Sequence, residues 1–344
     1  MSLEPGSRCW LGACFQIDRR GRSVVIARGR KLKAIATVSP QAKTCSLQAK
    51  FAASSGFRGR IACGMNCQRK SDDLARELDV ATSLRLHWPE YAMEFAGMGL
   101  YLLFTCIFAT LLQHPGSPIR HLLPNSMVRR AFFGISVAAT IVAIVLTPWG
   151  KRTGGHLNPA MTFAFYRLGK VKFWDAIFYG VAQFAGATAG VAIAATLLLG
   201  APGNPAVRYA ATRPGTYGAG VAFIAEVAIS FVLMLTVLFA SDHKVLSHYT
   251  SHFVGALYAV FITLETPLSG MSMNPARTLG PAFLGRYWHG LWIYLVAPTL
   301  GMLVAAELFL GVRGGIGPYC AKLHHANDKR CIFRHCASKI DHHP

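Results

Sequence analysis

Acidic side chains are scarce in this chain, most of all near its N-terminus. Fifteen Asp and Glu stand against 35 Lys and Arg, a formal net charge of +20 over 344 residues. Residues 1–70 hold 14 Lys/Arg and only Glu4 and Asp18 as acids. Charge of either sign is thin over the chain as a whole; at 15% of residues it is too sparse for an ordinary soluble surface. The basic leader does not interleave aromatics with Arg as a nucleic-acid platform does, so anionic lipid is the expected neighbour and nucleic acid is not. A secreted disulfide framework is missing too. Five of the nine cysteines precede residue 70, Cys106 lies in an apolar run, and Cys320, Cys331 and Cys336 lie in the tail, a scatter that fits a reducing compartment. Residues 1–86 show no sustained helix or strand period and are expected to be a basic, disordered extension. Their Arg-rich composition also fits an organelle transit peptide; the competing expectation is a working start nearer Met65, with 1–64 outside the native protein.

What the chain has instead is apolar length. Hydrophobic residues make up 53%, and the mean hydropathy is +0.36. Six stretches approach the roughly 20 residues needed to cross hydrocarbon: about 91–112, 129–148, 173–199, 218–240, 250–267 and 288–311, the fifth of them short. An even number of spans leaves both termini on one side. The basic leader, Lys151/Arg152, Arg167/Lys170/Lys172 and the basic tail place that side in the cytoplasm, in a cell (plasma or inner) membrane.

The halves repeat. "MEFAGMGLYLLFTCIFA" (93–109) aligns with "AEVAISFVLMLTVLFA" (225–240), each with Glu second, and 173–191 aligns with 287–304. Each half reads span, span, polar Asn-Pro-Ala segment, span. Three spans per half invert the second relative to the first. The expected fold class is an all-α membrane protein of six transmembrane helices plus two re-entrant half-helices in an inverted repeat. The halves run from about 88–200 and 217–313 within a domain of 87–313, followed by a basic Cys/His-rich cytoplasmic tail, 314–344.

The polar segments are "TGGHLNPAMTFAF" (153–165) and "SGMSMNPARTLGPAF" (269–283). Asn is a strong helix N-cap and Pro suits the first helical position. Asn158-Pro159-Ala160 therefore opens a short helix to about Arg167, and Asn274-Pro275-Ala276 another to about Leu284. Neither can span alone, and backbone at membrane depth must be satisfied by protein or by a wet cavity. Inverted symmetry brings both positive helix ends to one midplane point. With each carboxamide oxygen capping its own helix, each NH₂ stays free to donate to passing water or hydroxyl groups, while the dipoles oppose protons and cations. A third Asn-Pro-Ala, in "GNPAVRYA" (203–210), matches no place in the repeat and reads as a loop coincidence.

These motifs, with Glu94 and Glu226 leading the halves, resemble the major intrinsic protein family, the aquaporins and glycerol facilitators, over roughly 88–313. The resemblance implies a channel, usually a homotetramer with one pore per subunit, no cofactor, and a lipid bilayer with water and small neutral solutes as partners. It makes Arg277 the selectivity arginine, with Met271, Ile262 and Phe133 completing the filter; Phe133 allows for residues inserted at "TPWGKR" (147–152), whereas counting back without a gap selects Ala138. It makes Glu94 and Glu226 acceptors for backbone of the re-entrant loops. His156 either contacts solute at the inner mouth or is a packed loop histidine. Strict water channels of the family carry His at the Ile262 place, and glycerol facilitators carry Asp after the arginine and a Pro-aliphatic pair in the last span. Thr278, Ala282 and Tyr294 are water-channel-like and Leu295 is glycerol-like, so water with leakage of small neutral solutes is preferred over a polyol route.

In the tail, Cys320 and His324, and Cys331 and His335, are each four apart, with Cys336 adjacent. On a helix each pair shares a face suited to Zn²⁺, although the spacing matches no zinc-finger pattern; the plain alternative is a basic tail. An ion-coupled secondary transporter would need carboxylates beside an unwound segment, and Glu94 and Glu226 are the only deep acids that the sequence offers. No nucleophile–base pair or metal triad falls within the spans, so the chain is not expected to be an enzyme.

Overall fold

The computed structural model describes residues 79–325, 327–334 and 336, and the backbone of six short strands between residues 8 and 62. The chain forms two compact units, 1–78 and 79–344.

In the first unit, β1 (Arg8–Trp10), β2 (Ala13–Ile17), β3 (Ser23–Gly29), β4 (Leu32–Val38), β5 (Ser46–Phe51) and β6 (Ile61–Ala62) form an antiparallel meander in chain order. The expectation for 1–86 is a basic, disordered extension; its described residues between 8 and 62 have the backbone of these strands. The runs "SVVIARG" and "LKAIATV" concentrate β-branched side chains and pair in register from Ser23↔Val38 to Gly29↔Leu32. The boundary also moves, because the first long helix begins at Val80 with the Asp79 carboxylate accepting from Ala81 N at 3.1 Å.

The second unit is all-α. Its elements are α1 (Val80–Gln113), α2 (Pro118–Leu122), α3 (Ser126–Leu146), α4 (Pro148–Thr153), α5 (Pro159–Arg167), α6 (Phe173–Leu197), α7 (Gly218–Asp242), α8 (Thr250–Leu264), α9 (Thr266–Ser269), α10 (Pro275–Gly285) and α11 (Leu291–Val312). Among the described residues, five helices are long and apolar enough to cross a membrane: α1, α3, α6, α7 and α11. The fifth span, α8, has 15 residues, about 22 Å at 1.5 Å per residue; the 3₁₀ turn Leu246–Tyr249 leads into it and α9 follows.

Apolar side chains on every span face outward, including Phe104, Ile135, Val181, Ile224, Val260 and Val304, as lipid contact demands of an integral, multi-pass membrane protein. The repeat governs the packing: α1 lies against α6 as α7 lies against α11, and α3 meets α8 across the centre. Small residues permit these approaches. A Cβ on Gly190 would sit 2.1 Å from Gly99 O, and one on Gly301 would sit 2.3 Å from Val227 O. The "TPWGKR" insertion supplies the N-cap Thr147 and most of α4, six residues where its repeat mate α9 has four.

Candidate functional site

Both half-helices begin as their sequences dictate. Asn158 Oδ1 accepts from Ala160 N at 3.0 Å, and Asn274 Oδ1 accepts from Ala276 N at 3.0 Å and Arg277 N at 3.3 Å, with Pro159 and Pro275 at the first helical positions. The two helix starts meet. Asn158 Nδ2 donates to Met273 O at 2.8 Å, and Asn274 Nδ2 donates to Leu157 O at 2.7 Å. The sequence expectation left each NH₂ free; here one N–H of each is committed across the repeat, and its second N–H is the one left for a passing molecule.

The residues before the asparagines are held in unusual backbone. Leu157, Met271 and Met273 have φ of 45°, 54° and 55°, which costs a side-chain-bearing residue about 1–2 kcal/mol each. Buried carboxylates anchor that strain. Glu94 Oε2 accepts from Leu157 N at 2.9 Å and from Gln183 Nε2 at 2.7 Å. Glu226 accepts from Ser272 N at 2.7 Å, Met273 N at 2.8 Å and Ser269 Oγ at 2.6 Å. With the loop N–H groups engaged, carbonyls are left to turn inward.

On one side of the asparagines lies a cavity of about 580 Å³ lined by Arg277, Met271, Ile262 and Phe133 together. Ala138 is not among its walls; it packs against Gly255 on α8. Arg277 is 5% exposed, and its Nη1 donates to Ala210 O at 2.7 Å. That acceptor belongs to the loop opened by the third Asn-Pro-Ala. Asn204 there caps only a local turn, accepting from Ala206 N at 2.9 Å, and starts no half-helix. The loop nevertheless matters: Arg208, Tyr209 and Ala210 all have positive φ, 52°, 54° and 57°, and present the carbonyl to the guanidinium. No sequence signal marks this contact, which joins residues 67 apart.

On the other side the space shrinks to about 20 Å³, bounded by Asn158, His156, Tyr101, Tyr258 and Leu323 among others. Tyr101 and Tyr258 escaped the sequence reading although spacing could have found them: Tyr101 follows Glu94 by seven residues and Tyr258 precedes Ile262 by four, each on the same helix face. His156 is a packed loop histidine. It pairs with Thr162 Oγ1 at 3.0 Å and Ala321 O at 2.8 Å, and its ring lies between those of Phe165 and Phe333 at centroid distances of 5.1 and 5.2 Å.

The tail is not helical between 320 and 336 among the described residues, which corrects the expectation of shared-face Cys/His pairs. Its backbone bonds to the membrane unit instead: Leu323 N donates to Gly154 O at 3.0 Å and Arg334 N to Lys170 O at 2.8 Å. Cys320, Cys331 and Cys336 converge, their sulfurs within 4.8 Å of one another. His324 does not join that group and sits against His248 at a ring distance of 6.0 Å; burial and the nearby Lys151 lower its pKa. His335 lies outside the described residues. Nor are Glu94 and Glu226 the only buried acids. Glu90, Asp175 and Glu265 are 0%, 1% and 6% exposed. Two of them sit near span ends where partners reach them: Arg152 Nε lies 2.9 Å from Glu90, and Asp175 takes His87 Nδ1 at 2.7 Å and the Tyr91 hydroxyl at 2.6 Å.

Comparison with known proteins places this arrangement. The family model described as major intrinsic protein matches residues 81–309. The chain is 36% identical over 184 residues to Aquaporin NIP1-3 of Oryza sativa subsp. japonica, covering 53% of this chain and 60% of that one. It is 30% identical over 256 residues to Aquaporin-4 of Rattus norvegicus, covering 72% and 73%. The match to the rice relative thus spans less than two thirds of that protein's length. Among solved structures, the aquaglyceroporin from Plasmodium falciparum superposes with a TM-score of 0.53 at 22% identity, over 64% of this chain and 94% of that one, a likeness of fold. The chain belongs to the major intrinsic protein family.

Proposed function

We propose that this protein is a passive transmembrane channel for water that also admits small neutral solutes, performs no chemistry on them, and excludes protons and ions. The observation that carries the reading is the reciprocal pair of bonds from Asn158 to Met273 O and from Asn274 to Leu157 O, which sets two helix N-termini head to head between two cavities. A water there meets one N–H from each asparagine and the positive ends of α5 and α10. It must give up its hydrogen bonds to neighbouring waters, and a cation meets repulsion. Arg277 adds a fixed charge in a buried wall, with Met271, Ile262 and Phe133 closing the constriction sterically. Glu94 and Glu226 hold the loops. The natural assembly is a homotetramer in a cell membrane with both termini cytoplasmic, so the tail-side cavity faces the cytoplasm and the Arg277 side faces out.

A polyol route is the second reading. Ile262 makes one wall apolar where a hydrogen-bonding side chain would favour water, and the cavity beside it is wide. Stopped-flow shrinkage of proteoliposomes, with sucrose and then glycerol as osmolyte and a chelator present throughout, separates the two. Fast water efflux with slow glycerol entry supports the water channel. Water permeability equal to that of empty vesicles alongside fast glycerol swelling overturns it in favour of the polyol route.

A further inference from the structure

The tail does more than follow the last span. Ala321, Lys322 and Leu323 are 0%, 2% and 1% exposed, and Phe333 is 7% exposed. Ala321 O meets His156 Nε2, Leu323 N is bonded to Gly154 O, and Phe333 stacks on the His156 ring at an interplanar angle of 9°. Leu323 lines the same small cavity as Asn158. The segment is thus seated in the mouth of the passage, one residue deep against the loop that carries the asparagine. Gly154 suits the seat: a Cβ there would lie 2.9 Å from the Phe333 ring. Arg330 ties the segment to the rim, lying 3.8 Å from Glu90, and Lys322 Nζ closes the segment on itself by donating to Lys329 O at 2.9 Å and Arg330 O at 3.0 Å.

The base of this loop is where the three cysteines meet. Cys320 Sγ lies 3.8 Å from Cys331 Sγ and 2.6 Å from Cys336 Sγ. Zinc–sulfur bonds of about 2.3 Å in a tetrahedron set sulfurs about 3.8 Å apart. The first spacing matches that edge, and the second reaches it with an outward shift of Cys336 by about 1 Å. A disulfide between Cys320 and Cys336 would employ two of the three sulfurs and would require an oxidant. A thiophilic ion employs all three and requires none. Three thiolates on a divalent ion leave a net negative charge in a segment whose sequence also carries Lys322, Arg330 and Arg334.

We propose that Cys320, Cys331 and Cys336 form a thiolate site for Zn²⁺, and that the bound ion clasps the tail segment carrying Leu323 and Phe333 into a plug across the His156-side mouth of the channel. Zinc holds the closed state; its removal lets Leu323 and Phe333 leave and opens the passage. The gating half of this proposal rests on the channel reading, whereas the metal half does not.

The test uses the full-length chain, purified in detergent and reconstituted. Elemental analysis after zinc loading and desalting is expected to give about one zinc per chain, and Co²⁺ in its place is expected to show thiolate-to-metal absorption. Both signals are lost in Cys320→Ser and in Cys331→Ser. Water permeability is expected to rise roughly tenfold or more on chelation and to fall again on adding zinc. The cysteine variants are open and zinc-insensitive, and Leu323→Gly is open while keeping its zinc. Failure of the intact chain to retain zinc, or a Cys320–Cys336 disulfide in peptides trapped with a thiol-blocking reagent at lysis, overturns the metal site. Zinc retention with water flux that is brisk and unchanged by chelation overturns the plug. Zinc retention with no flux in any variant overturns the channel reading and the plug together, leaving the metal site standing.

Discussion

Tyr179 and Tyr294 make the same bond on opposite sides of the molecule. The Tyr179 hydroxyl donates to Thr153 O at 2.9 Å, and the Tyr294 hydroxyl donates to Ser269 O at 2.5 Å. Each acceptor is the last residue of a short helix, α4 or α9, and is followed by a left-handed glycine, Gly154 at φ 93° and Gly270 at φ 82°. The hydroxyls Thr153 Oγ1 and Ser269 Oγ likewise both cap the amide two residues on, at 3.2 and 3.1 Å. The inverted repeat therefore holds at the level of individual hydrogen bonds, and its purpose in each half is to fix where the chain turns back toward the asparagine.

That equivalence predicts matched behaviour. Tyr179→Phe and Tyr294→Phe each leave a buried carbonyl short of a donor, which costs about 1–3 kcal/mol in a protein interior, with membrane interiors nearer the low end of that range. Thermal unfolding of the purified protein in detergent is expected to show comparable drops in midpoint for the two variants. An unchanged midpoint for either would mean that the bond does not hold its loop.

Glu226 offers a sharper loss. It accepts three hydrogen bonds from Ser269, Ser272 and Met273, and Glu226→Gln replaces one acceptor oxygen with a donor facing a donor. Charge-assisted bonds of this kind are worth about 1.5–3 kcal/mol each, and here they hold Met273 at positive φ. Once Met273 shifts, its carbonyl no longer meets Asn158 Nδ2, and the bond across the repeat is lost. The expected result is a sharp fall in monodisperse yield, with residual protein conducting poorly in vesicles. Wild-type yield and flux would show that the loops hold themselves.

Close helix contact is equally exposed to test. A Cβ at Gly186 would lie 2.2 Å from Phe95 O, so Gly186→Ala must push α6 off α1. Overpacking of this sort costs about 1–3 kcal/mol. Gly180 on the same helix has open space around its Cβ direction, so Gly180→Ala serves as the control and should keep its midpoint. Equal midpoints for the two variants would refute the contact.

What the sequence disclosed follows from what kind of physics each feature uses. Caps, prolines and helix starts are local, so Asn158-Pro159 and Asn274-Pro275 announced the half-helices directly, and the paired glutamates announced the repeat. Features made by distant contacts were silent. Nothing in "GNPAVRYA" marks Ala210 as the acceptor for Arg277, because that carbonyl's direction depends on three consecutive left-handed residues. Glu90 and Asp175 hid near span ends, where an acid passes for an interfacial residue until Arg152, Tyr91 and His87 are seen around them. The tail misled through its spacing: Cys and His four apart invite a helix, yet the segment bonds edge-on to Gly154 and Lys170. The strands of 8–62 were masked by their Arg, Gly and Ser, which dilute the β-branched runs that pair.

Arg277 is the residue whose change should most alter what passes. Its Nη1 is tied to Ala210 O, which fixes the guanidinium against the cavity shared by Met271, Ile262 and Phe133. In Arg277→Val the charge vanishes and the wall recedes. Two barriers fall together: the electrostatic one against cations, worth about 4 kcal/mol per unit charge at 4 Å in a surface-like dielectric, and the steric one against solutes larger than water. Water flux should hold or rise, glycerol entry should accelerate, and a cation leak should appear in vesicles under an imposed potential. Ile262→His in the intact background works in the opposite sense, adding a donor and an acceptor to an apolar wall and favouring water over glycerol. The pair of variants isolates the constriction, because misfolding lowers every flux, whereas Arg277→Val raises the ratio of glycerol to water entry and Ile262→His lowers it. An Arg277→Val channel with the parent's solute profile and no cation leak would place the selective step elsewhere along the passage.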